Sequence, residues 1–533
     1  MKTMKTALIS VYHKDGITDF ALELTKLGFT IYASGGTAKH LTKAGINVLD
    51  VATLIGGEAI LGHRVVTLSR EVHAGLLARY DVPEDMAELE RLNIPCIDLV
   101  CVDLYPLEQE IVKPDSTESS VIEMTDIGGP TMIRSAAKGC RVIVCDPADR
   151  QPVIEWLKSG EQKDPGLPGR LCAKAEFVVA NYCMASATYR SAGWYRGLSG
   201  ERVAECKYGE NAHQTPAALF SSGIDDPLAL DKFTVVEGTP PSYNNYCDLD
   251  RLLQTMTHIV AVLRKNDTEV PFIALGGKHG NVCGAAIGND VRVVLQDMMA
   301  GDPLAIFGGL VMTNFAIDDG IADVLSGKLL DGIIAPGFTG DTIAKLRRKG
   351  DKCRFISNPA LRLQGAVDGK MSLDGASRFR YVRGGFLRQP NYTFVLDLKD
   401  GGWKTYGQPS LQGLTDMFLA WAIGSTSNSN TITLVKNNTL IGNGVGQQDR
   451  VGAAKLAIER ATRSKHDING AVAYSDSFFP FPDGPQTLID AGVKAILTSS
   501  GSVKDQATID VCVKNNVALY MIPDPIGRGF FGH

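Results

Sequence analysis

The sequence predicts an α/β protein of several domains, the first of which is built on a parallel β-sheet. At 533 residues the chain is too long for one hydrophobic core, so about two to four domains are expected. Within the first 150 residues, short apolar runs alternate with segments of helical spacing. The runs are apolar on both faces, which is typical of parallel strands that helices cover on each side.

The elements of this first domain are predicted in a regular β–α order. The segment 16–28, between the first two strands, has Phe20, Leu24 and Leu27 at helical spacing. Short helices are predicted after Ser34 and over 132–139. The predicted strands are 6–12, 29–34, 46–51, 97–105 and 140–147.

A mainly helical segment over 151–200 is predicted to connect the first domain to the remainder of the chain, where a mixed α/β pattern returns. Gly and Pro are spread through this remainder without a low-complexity linker. Further strands are predicted over 271–277, 309–315, 392–398, 431–437, 471–476 and 495–501.

Composition excludes several classes of protein. A net charge of -5 argues against a dedicated nucleic-acid binder, although a local basic pocket remains compatible with small anionic substrates. No apolar run reaches the roughly 18 residues of a membrane span, and Lys14 and Asp15 interrupt the N-terminal run before it resembles a secretory signal. The eleven cysteines include no CxxC pair, so free thiols in a reducing cytoplasm are expected.

Two Gly-rich turns of the first domain are candidate phosphate sites. Ser34, Gly35, Gly36 and Thr37 join a strand to a helix, where free backbone N–H groups and the helix N-terminus attract an anion. The turn 126–131 contains Gly128 and Gly129 and precedes a helix, with the cations Arg64, Arg134 and Lys138 and with Thr67 as further candidates. Two alternatives stay open: glycines that only satisfy backbone angles, and helix cations that only face solvent.

The same region resembles a known family. The blocks SVYHKDG (10–16), ASGGTAKHL (33–41), RVVTL (64–68), DLVCVDLYPLE (98–108) and DIGGPTMIRSAAKG (126–139) are similar to the cyclohydrolase domain of a bifunctional purine enzyme. That family joins 5-aminoimidazole-4-carboxamide ribonucleotide (AICAR) formyltransferase to inosine monophosphate (IMP) cyclohydrolase. The resemblance implies a methylglyoxal-synthase-like domain that closes formyl-AICAR into IMP, with Tyr105, Asp126 and Lys138 in proton transfer and charge stabilisation.

The chain departs from the family at several positions of this domain, including Ser69 and Arg70, where the family usually has His-Pro. Val66 stands where the family usually has Lys, Asp103 where it has Asn, and Gly139 where it has Asn or His. A lysine ammonium near the forming ring would stabilise negative charge, which valine cannot do. These departures favour the alternative in which the first domain binds a nucleotide without closing the ring.

The resemblance continues through the second part of the chain. It is carried by KYGENAHQ (207–214), SYNNYCDLD (242–250), GKHGNVCGAAIG (277–288), DPLAIFGGLV (302–311), DGIIAPGF (331–338), SNSNTITLVKN (427–437), GNGVGQQDR (442–450), SDSFFPFPDG (475–484), SSGSVKDQ (499–506) and Arg528. These ordered blocks span nearly all of 207–533 and identify the chain as similar to the family throughout.

The block around Lys278 and His279 carries the chemistry. Formyl transfer needs a base for the exocyclic amine, and histidine is suited to moving protons near neutral pH. The adjacent lysine supplies positive charge to the transition state and disfavours protonated histidine. His279 is therefore the predicted general base and Lys278 its electrostatic partner. Outside this context, a Lys-His pair would be read as a surface turn.

Other site residues are implied by the resemblance. Asn430 matches an asparagine placed near the formyl oxygen, although strand capping is its alternative role. Lys207, Tyr208 and Arg528 are candidates for the nucleotide phosphate, and Lys207 lacks the bidentate fork of the family's arginine. Asn245, Phe479 and Asp483 are further candidates for substrate contact.

The resemblance also implies the assembly and the cosubstrate. It divides the chain into a cyclohydrolase domain (1–150), a helical connector (151–200) and two cytidine-deaminase-like subdomains without zinc (201–375 and 376–533). The family uses 10-formyltetrahydrofolate, needs no metal, and forms its formyltransferase sites across a homodimer. Three hypotheses remain: a bifunctional enzyme, a formyltransferase whose first domain only binds nucleotide, and a non-enzymatic nucleotide sensor.

Overall fold

The chain folds into two units, Met1–Ser199 and Gly200–His533. They are seen in a computed structural model that describes residues 5–57, 59–61, 64–362, 373–400 and 402–532. No helix within these ranges is both long and apolar enough to cross a membrane.

The first unit is a five-stranded parallel sheet in the order β3-β2-β1-β4-β5, which confirms the α/β prediction. Its strands are β1 (Lys5–Ser10), β2 (Phe29–Ala33), β3 (Leu49–Asp50), β4 (Leu99–Val102) and β5 (Val142–Val144). Its helices are α1 (Ile17–Lys26), α2 (Gly35–Lys43), α3 (Ala52–Ile55), α4 (Arg70–Leu77), α5 (Pro83–Arg91), α6 (Leu107–Val112), α7 (Glu118–Glu123), α8 (Gly128–Lys138), α9 (Arg150–Lys158) and α10 (Leu167–Arg190).

The sheet is buried on both faces, as the apolar runs predict. One core cluster includes Ile9, Phe20 and Leu24, and another includes Val100 and Ile133. The helical segment after residue 150 is part of this unit, because Ala175 and Val179 of α10 lie in the second cluster. The chain order reverses between β1 and β4, and ligands of parallel sheets bind at the carboxyl ends of strands beside such a switch.

The second unit is dominated by a 12-stranded mixed sheet. Its strands, including two separate hairpins, are β6 (Glu201–Cys206), β7 (Ala217–Ser221), β8 (Thr234–Glu237), β9 (Phe272–Lys278), β10 (Asn281–Gly288), β11 (Leu310–Thr313), β12 (Gly332–Ala335), β13 (Arg354–Ser357), β14 (Ser377–Val382), β15 (Gly385–Pro390), β16 (Lys404–Tyr406), β17 (Ile432–Lys436), β18 (Thr439–Gly444), β19 (Val472–Ser475), β20 (Ala495–Ser500) and β21 (Ala518–Pro523). Its helices are α11 (Tyr243–Lys265), α12 (Val291–Ala300), α13 (Ala322–Leu325), α14 (Thr342–Leu346), α15 (Leu411–Gly424), α16 (Arg450–Arg463), α17 (Asp483–Asp490), α18 (Asp505–Lys514) and α19 (Asp524–Gly527).

This sheet contains the same topology twice. In each half a long helix, α11 or α15, precedes an antiparallel hairpin, β9–β10 or β17–β18. Parallel strands follow, in the spatial orders β10-β9-β11-β12-β13 and β18-β17-β19-β20-β21. The halves join where β10 pairs antiparallel with β18, with Ala286 opposite Thr439. This pairing brings the β9–β10 turn to the same sheet edge as the start of β17.

The strand predicted over 392–398 is wrong. This segment has no ladder partner, but it packs its apolar side chains against the core of the second unit, where Leu396 is fully buried. Asn266 at the end of α11 satisfies its backbone, donating to the Leu396 carbonyl at 2.9 Å and accepting from the Leu398 N–H at 2.9 Å. One amide side chain therefore takes the place of a neighbouring strand.

Candidate active sites

The first candidate phosphate turn begins where β2 ends. Ser34 precedes α2, and its hydroxyl lies 2.6 Å from that of Ser10 at the end of β1. Thr37 is buried and donates to the Val11 carbonyl at 3.1 Å. A Cβ on Gly35 or Gly36 would meet nothing within 4 Å, so packing does not require these glycines. The open space above them suits the close approach of an anion to the helix N-terminus.

The second turn surrounds the Asp126 carboxylate. Asp126 accepts from the Gly129 N–H at 3.0 Å, and a Cβ on Gly129 would lie 2.4 Å from this carboxylate. A Cβ on Gly128 would lie 2.8 Å from the hydroxyl of Thr67, so the two glycines allow these side chains to approach. Burial raises the pKa of Asp126 and that of neighbouring Tyr105, and the charge of Asp126 raises the Tyr105 pKa further. Hydrogen bonds from the backbone at Gly128, Gly129 and Tyr105 oppose the shift of Asp126.

Asp103 links the ends of β1 and β4. Its carboxylate accepts from the backbone N–H groups of Tyr12 and His13, the latter at 3.1 Å. The Tyr12 ring then lies 5.4 Å from the ring of Tyr105. Burial lowers the pKa of Lys14, while attraction to Asp103 opposes this shift. The departure at position 103 thus has a structural role here.

We expect Asp103→Asn to lower the free energy of unfolding by about 1–2 kcal/mol. An amide has one acceptor oxygen where the carboxylate has two, so the paired N–H groups of Tyr12 and His13 lose one partner, and Lys14 loses its counter-charge. Urea denaturation of the full chain measures the change. The matched control is Asp115→Asn, an exposed carboxylate of the same unit. Equal unfolding energies of the two variants would contradict the assigned role.

The other predicted residues of this unit are less closely grouped. Arg64 is exposed and forms an ion pair with Glu123. Val66 is partly buried and packs against the apolar cluster that contains Ile133. Lys138 is exposed in the last turn of α8, about 15 Å along the helix from Gly128. The structure therefore joins Thr67, Tyr105 and Asp126 but does not bring Lys138 beside them within one chain.

Lys278 and His279 lie in the tight turn between β9 and β10. His279 and Gly280 have φ values of 54° and 67°, as the two central residues of a type I′ turn require. The imidazole is exposed. The Lys278 ammonium donates to the Phe307 carbonyl at 2.5 Å, which holds its positive charge beside the turn.

Asp248 of α11 holds this turn through a hydrogen bond to its backbone. It is buried, and its carboxylate accepts from the Gly280 N–H at 2.6 Å. Burial raises the pKa of Asp248, whereas hydrogen bonds from the Gly280 and His279 backbones and the charges of His279 and Arg251 act in the opposite direction. A negative charge therefore lies next to the predicted base.

Asn430 is held in a fixed orientation at the same sheet edge. Its side chain donates to the Gln447 carbonyl at 2.9 Å and accepts from the Arg450 guanidinium at 2.7 Å. Arg450 also pairs with the buried Asp476 at 3.1 Å. Two residues earlier, the Asn428 N–H donates to the side chain of Asn281, which directly follows the His279 turn, at 3.0 Å. The structure thus brings Lys278, His279 and Asn430 into one region.

The turn after β6 carries Lys207, which is exposed, and Tyr208, which is half-buried. The turn is closed by the Gly209 N–H, which donates to the Gln214 carbonyl at 2.8 Å. Asn244 at the start of α11 donates to the Glu210 carbonyl at 3.3 Å. Arg354 lies close enough to Tyr208 for the two to interact electrostatically. This region therefore offers two cations to an anion.

The remaining predicted residues occupy different surroundings. Asn245 is buried, and its side-chain oxygen accepts from the Ser242 N–H at 3.0 Å in a capping box. Phe479 lies in the apolar core of the second half. Asp483 is exposed at the start of α17. Arg528 forms an ion pair with Asp524 and lies 5.9 Å from the Phe478 ring.

Several supporting residues escaped the sequence reasoning. Asp248 and Arg251 lie one helical turn apart in and just after the block 242–250, and Arg450 ends the block 442–450. The spacing i, i+3 places the first two on one face of α11, but no pattern shows which loops that face meets. Among the described residues, no cluster of three His, Cys, Asp or Glu side chains is arranged to hold a metal, and all eleven cysteines are free.

Known proteins match the chain over nearly its whole length. The family model for the AICARFT/IMPCHase bienzyme matches residues 136–460, and the model for the MGS-like domain matches residues 16–131. Proteins named bifunctional purine biosynthesis protein PurH are similar to it. That of Aquifex aeolicus is 33% identical over 96% of this chain and 98% of its own. That of Anoxybacillus flavithermus is 35% identical over 97% and 98%.

A solved structure titled "Crystal structure of ForH" aligns with 35% of this chain and 98% of its own, at 31% identity and a TM-score of 0.31. This low score adds nothing to the comparison of folds.

Proposed function

The chain belongs to the AICARFT/IMPCHase bienzyme family, and we propose which reaction each of its two units catalyses. It is a bifunctional enzyme, an AICAR formyltransferase and IMP cyclohydrolase, of the last two steps of purine synthesis. The second unit transfers a formyl group to the 5-amino group of AICAR. The first, which begins with an MGS-like domain, closes formyl-AICAR to IMP.

The single observation that carries the formyltransferase assignment is the turn of Lys278 and His279 beside Asn430. We propose that His279 removes a proton from the exocyclic amine as this amine attacks the formyl carbon. Asn430, oriented by Arg450 and Gln447, donates to the developing oxyanion through its amide. For this, the Asn430 amide must release its hydrogen bond to the Gln447 carbonyl and donate to the substrate instead. The Lys278 ammonium stabilises negative charge and is an acid for the leaving folate nitrogen.

We further propose that 10-formyltetrahydrofolate is the formyl donor and that neither reaction uses a metal. Lys207, Tyr208 and Arg528 are the candidates for the phosphate of AICAR. Arg354 adds a cation near Tyr208, in partial compensation for the lysine at position 207. Asn245, Phe479 and Asp483 are further candidates for substrate contact. Phe479 is buried in the core of the second half, and Asn245 caps the start of α11.

In the first unit, the proposed ring-closing site lies at the carboxyl ends of β1, β2 and β4. The turn 34–37, with Arg64 and Thr67, binds the phosphate of formyl-AICAR. Asp126 transfers protons near the forming ring, because burial raises its pKa from the usual carboxyl value towards neutral pH. Tyr105, whose pKa is also raised, stays protonated and donates its phenolic proton to developing negative charge. Lys138 supplies charge only if the helix end that carries it approaches the substrate.

The second candidate is a formyltransferase whose first unit binds a nucleotide but does not close the ring. The observation that favours it is Val66, which contributes to apolar packing and leaves no ammonium at this position. Purified protein supplied with formyl-AICAR alone separates the two candidates. IMP formation faster than the uncatalysed reaction supports ring closure, and an equal rate supports the second candidate. Release of tetrahydrofolate from AICAR and 10-formyltetrahydrofolate tests the other half in parallel.

We also propose that the enzyme is a cytoplasmic homodimer. The β14–β15 hairpin exposes Tyr381 and Leu387, at 81% and 61% of their surfaces, together with Phe386. Exposed apolar side chains on a two-stranded hairpin are typical of a subunit interface. The subdomain boundaries are a separate proposal: the repeated topology supports subdomains over 201–375 and 376–533. Sedimentation equilibrium tests the dimer, and a monomeric mass at micromolar concentration would contradict it.

We expect Asp248→Asn to lower kcat for formyl transfer about three- to tenfold and to move the acid limb of its pH profile to lower pH. Asparagine keeps an acceptor for the Gly280 N–H but removes the negative charge. The substitution also removes a carboxyl whose raised pKa makes it titrate early on acidification, so the acid limb moves to lower pH. Steady-state rates measured between pH 5 and 9 check the shift.

The matched control is Asp297→Asn on α12, because burial also raises the pKa of this carboxyl. It should leave the profile unchanged. An acid limb that moves to higher pH in Asp248→Asn, or that moves equally in both variants, would contradict the role of Asp248.

A further inference from the structure

The last residues of the described chain run beside the loop that precedes Asn430. The Phe531 N–H donates to the Ser427 carbonyl at 3.0 Å, and the Ser429 N–H donates to the Gly532 carbonyl at 3.2 Å. Asn428 and Gly532 form a parallel bridge. The chain 529–532 therefore acts as a short strand against 427–429, and Asn430 is the next residue along the loop.

The ring of Phe531 fixes this strand in place through contacts with two guanidinium groups. The Arg378 guanidinium lies 3.5 Å from the ring centroid and that of Arg251 lies 4.5 Å from it. Arg378 also donates to the Phe531 carbonyl at 2.7 Å. Phe531 itself is only 4% exposed. Cation–π contacts are stronger when the partners are removed from water, as Phe531 and Arg251 are here, whereas Arg378 is partly exposed.

The two like charges are balanced by nearby carboxylates. Asp250 of α11, which is exposed, attracts both Arg251 and Arg378, and this attraction opposes the lowering of their pKa values by burial. Asp374 contributes to the same balance. The arginines can therefore stay charged beside the ring. The arrangement needs the aromatic face of Phe531, since an aliphatic side chain offers no quadrupole to a cation.

A clamp is formed by the ring of Phe531 and the guanidinium groups of Arg251 and Arg378. Arg251 connects this clamp to both parts of the proposed formyltransferase site. Its guanidinium donates to the Thr426 carbonyl and, at 3.3 Å, to the side chain of Asn428. One helical turn earlier, Asp248 holds the His279 turn through Gly280. A single face of α11 thus supports the loop of His279 and the loop of Asn430.

We propose that Phe531 is a positioning residue for formyl transfer. Clamped by Arg251 and Arg378, it fixes the strand 529–532, which in turn fixes the loop that places Asn430 relative to His279. The same strand begins beside Arg528, so the clamp also sets the position of this phosphate candidate. This inference rests on the proposed formyltransferase activity and adds to it a group that touches no substrate.

The test compares two Phe→Leu variants of the full-length protein. Phe531→Leu removes the aromatic face, and we expect kcat for formyl transfer to fall about tenfold and KM for AICAR to rise. Hydrogen exchange in the peptide containing Ser429 should become faster, because this N–H depends on the Gly532 carbonyl. The control is Phe315→Leu, which removes the same atoms from a buried ring packed against Phe272. It should lower Tm without changing kcat.

Phe315 is a suitable control because it follows β11 at the edge of the sheet opposite the His279 turn, as the pairing of Leu310 with Gly277 shows. The inference is overturned if Phe531→Leu leaves kcat and exchange at Ser429 unchanged, or if Phe315→Leu alters them equally. It is also overturned if kcat falls while the exchange does not change.

Arg378→Gln provides a second test that keeps the ring. This partly exposed side chain contributes one face of the clamp, so we expect a threefold to fivefold loss of kcat with little change in Tm, roughly the effect of one weakened cation–π contact. An unchanged kcat would overturn the proposal even if Phe531→Leu fails to fold. A wild-type protein without formyl transfer would instead refute the proposed function, so the two failures are distinguishable.

Discussion

Replacing His279 by alanine or asparagine should lower kcat for formyl transfer by about 10²- to 10⁴-fold, the usual contribution of a general base. KM for AICAR should change little, because the imidazole acts in proton transfer rather than in binding. Rates of tetrahydrofolate release under saturating substrates measure the loss. This is the largest effect that we expect from any single substitution in the second unit.

The asparagine variant separates chemistry from backbone strain. His279 has a φ of 54°, a conformation that asparagine adopts more readily than alanine. Both variants should therefore lose the same activity, although only His279→Ala should also destabilise the turn. If His279→Asn kept most of the wild-type kcat, the base would have to be another group.

Placing asparagine at position 139, as the family usually has it, should destabilise the first unit by about 3 kcal/mol. A Cβ at Gly139 would lie 1.9 Å from the Leu76 carbonyl oxygen, so α4 and α8 would have to separate. The same carbonyl accepts from the buried Arg141 at 2.8 Å, and this bond would be lost as well. Urea denaturation measures the change, and ring closure should fall with the folded fraction.

Gly169→Ala is the matched control, since a Cβ there meets nothing within 4 Å on α10. It should leave stability unchanged or raise it by up to about 1 kcal/mol. If Gly139→Asn unfolded at the same urea concentration as the wild type, Gly139 would have to be explained as a lost functional group rather than as a packing requirement.

The order of strands and helices in the first unit could be predicted because buried parallel strands leave continuous apolar runs. The same kind of apolar run led to a wrong strand prediction over 392–398. This segment packs into the core, but its backbone bonds to the Asn266 side chain instead of to a neighbouring strand. An apolar sequence pattern indicates that a segment is buried. Whether the segment pairs as a strand depends on which backbone lies beside it in the fold. The repeat of topology within the second unit was likewise implied by family resemblance and not by any periodicity.

The sequence predicts reactive groups for the proposed site, but it does not show which groups hold them. Lys278 and His279 stand together in a recognisable block, whereas Asp248 reaches their turn from a helix 30 residues earlier in the chain. Asn430 is a predicted site residue, but its partner Arg450, and Asp476 that pairs with Arg450, come together only through folding. Asp103 shows the converse case. It departs from the family pattern, yet it accepts from two backbone N–H groups that an amide could not serve equally.

Formyl transfer at the turn of Lys278 and His279 is the central claim, and a single-turnover experiment tests it most directly. The full-length protein, in excess over AICAR, is mixed with 10-formyltetrahydrofolate, and tetrahydrofolate is followed in the wild type and in His279→Asn. We predict one equivalent of tetrahydrofolate per AICAR in the wild type and a rate at least about 100-fold lower in the variant. Equal rates in the two proteins, or no tetrahydrofolate from the wild type, would contradict the claim.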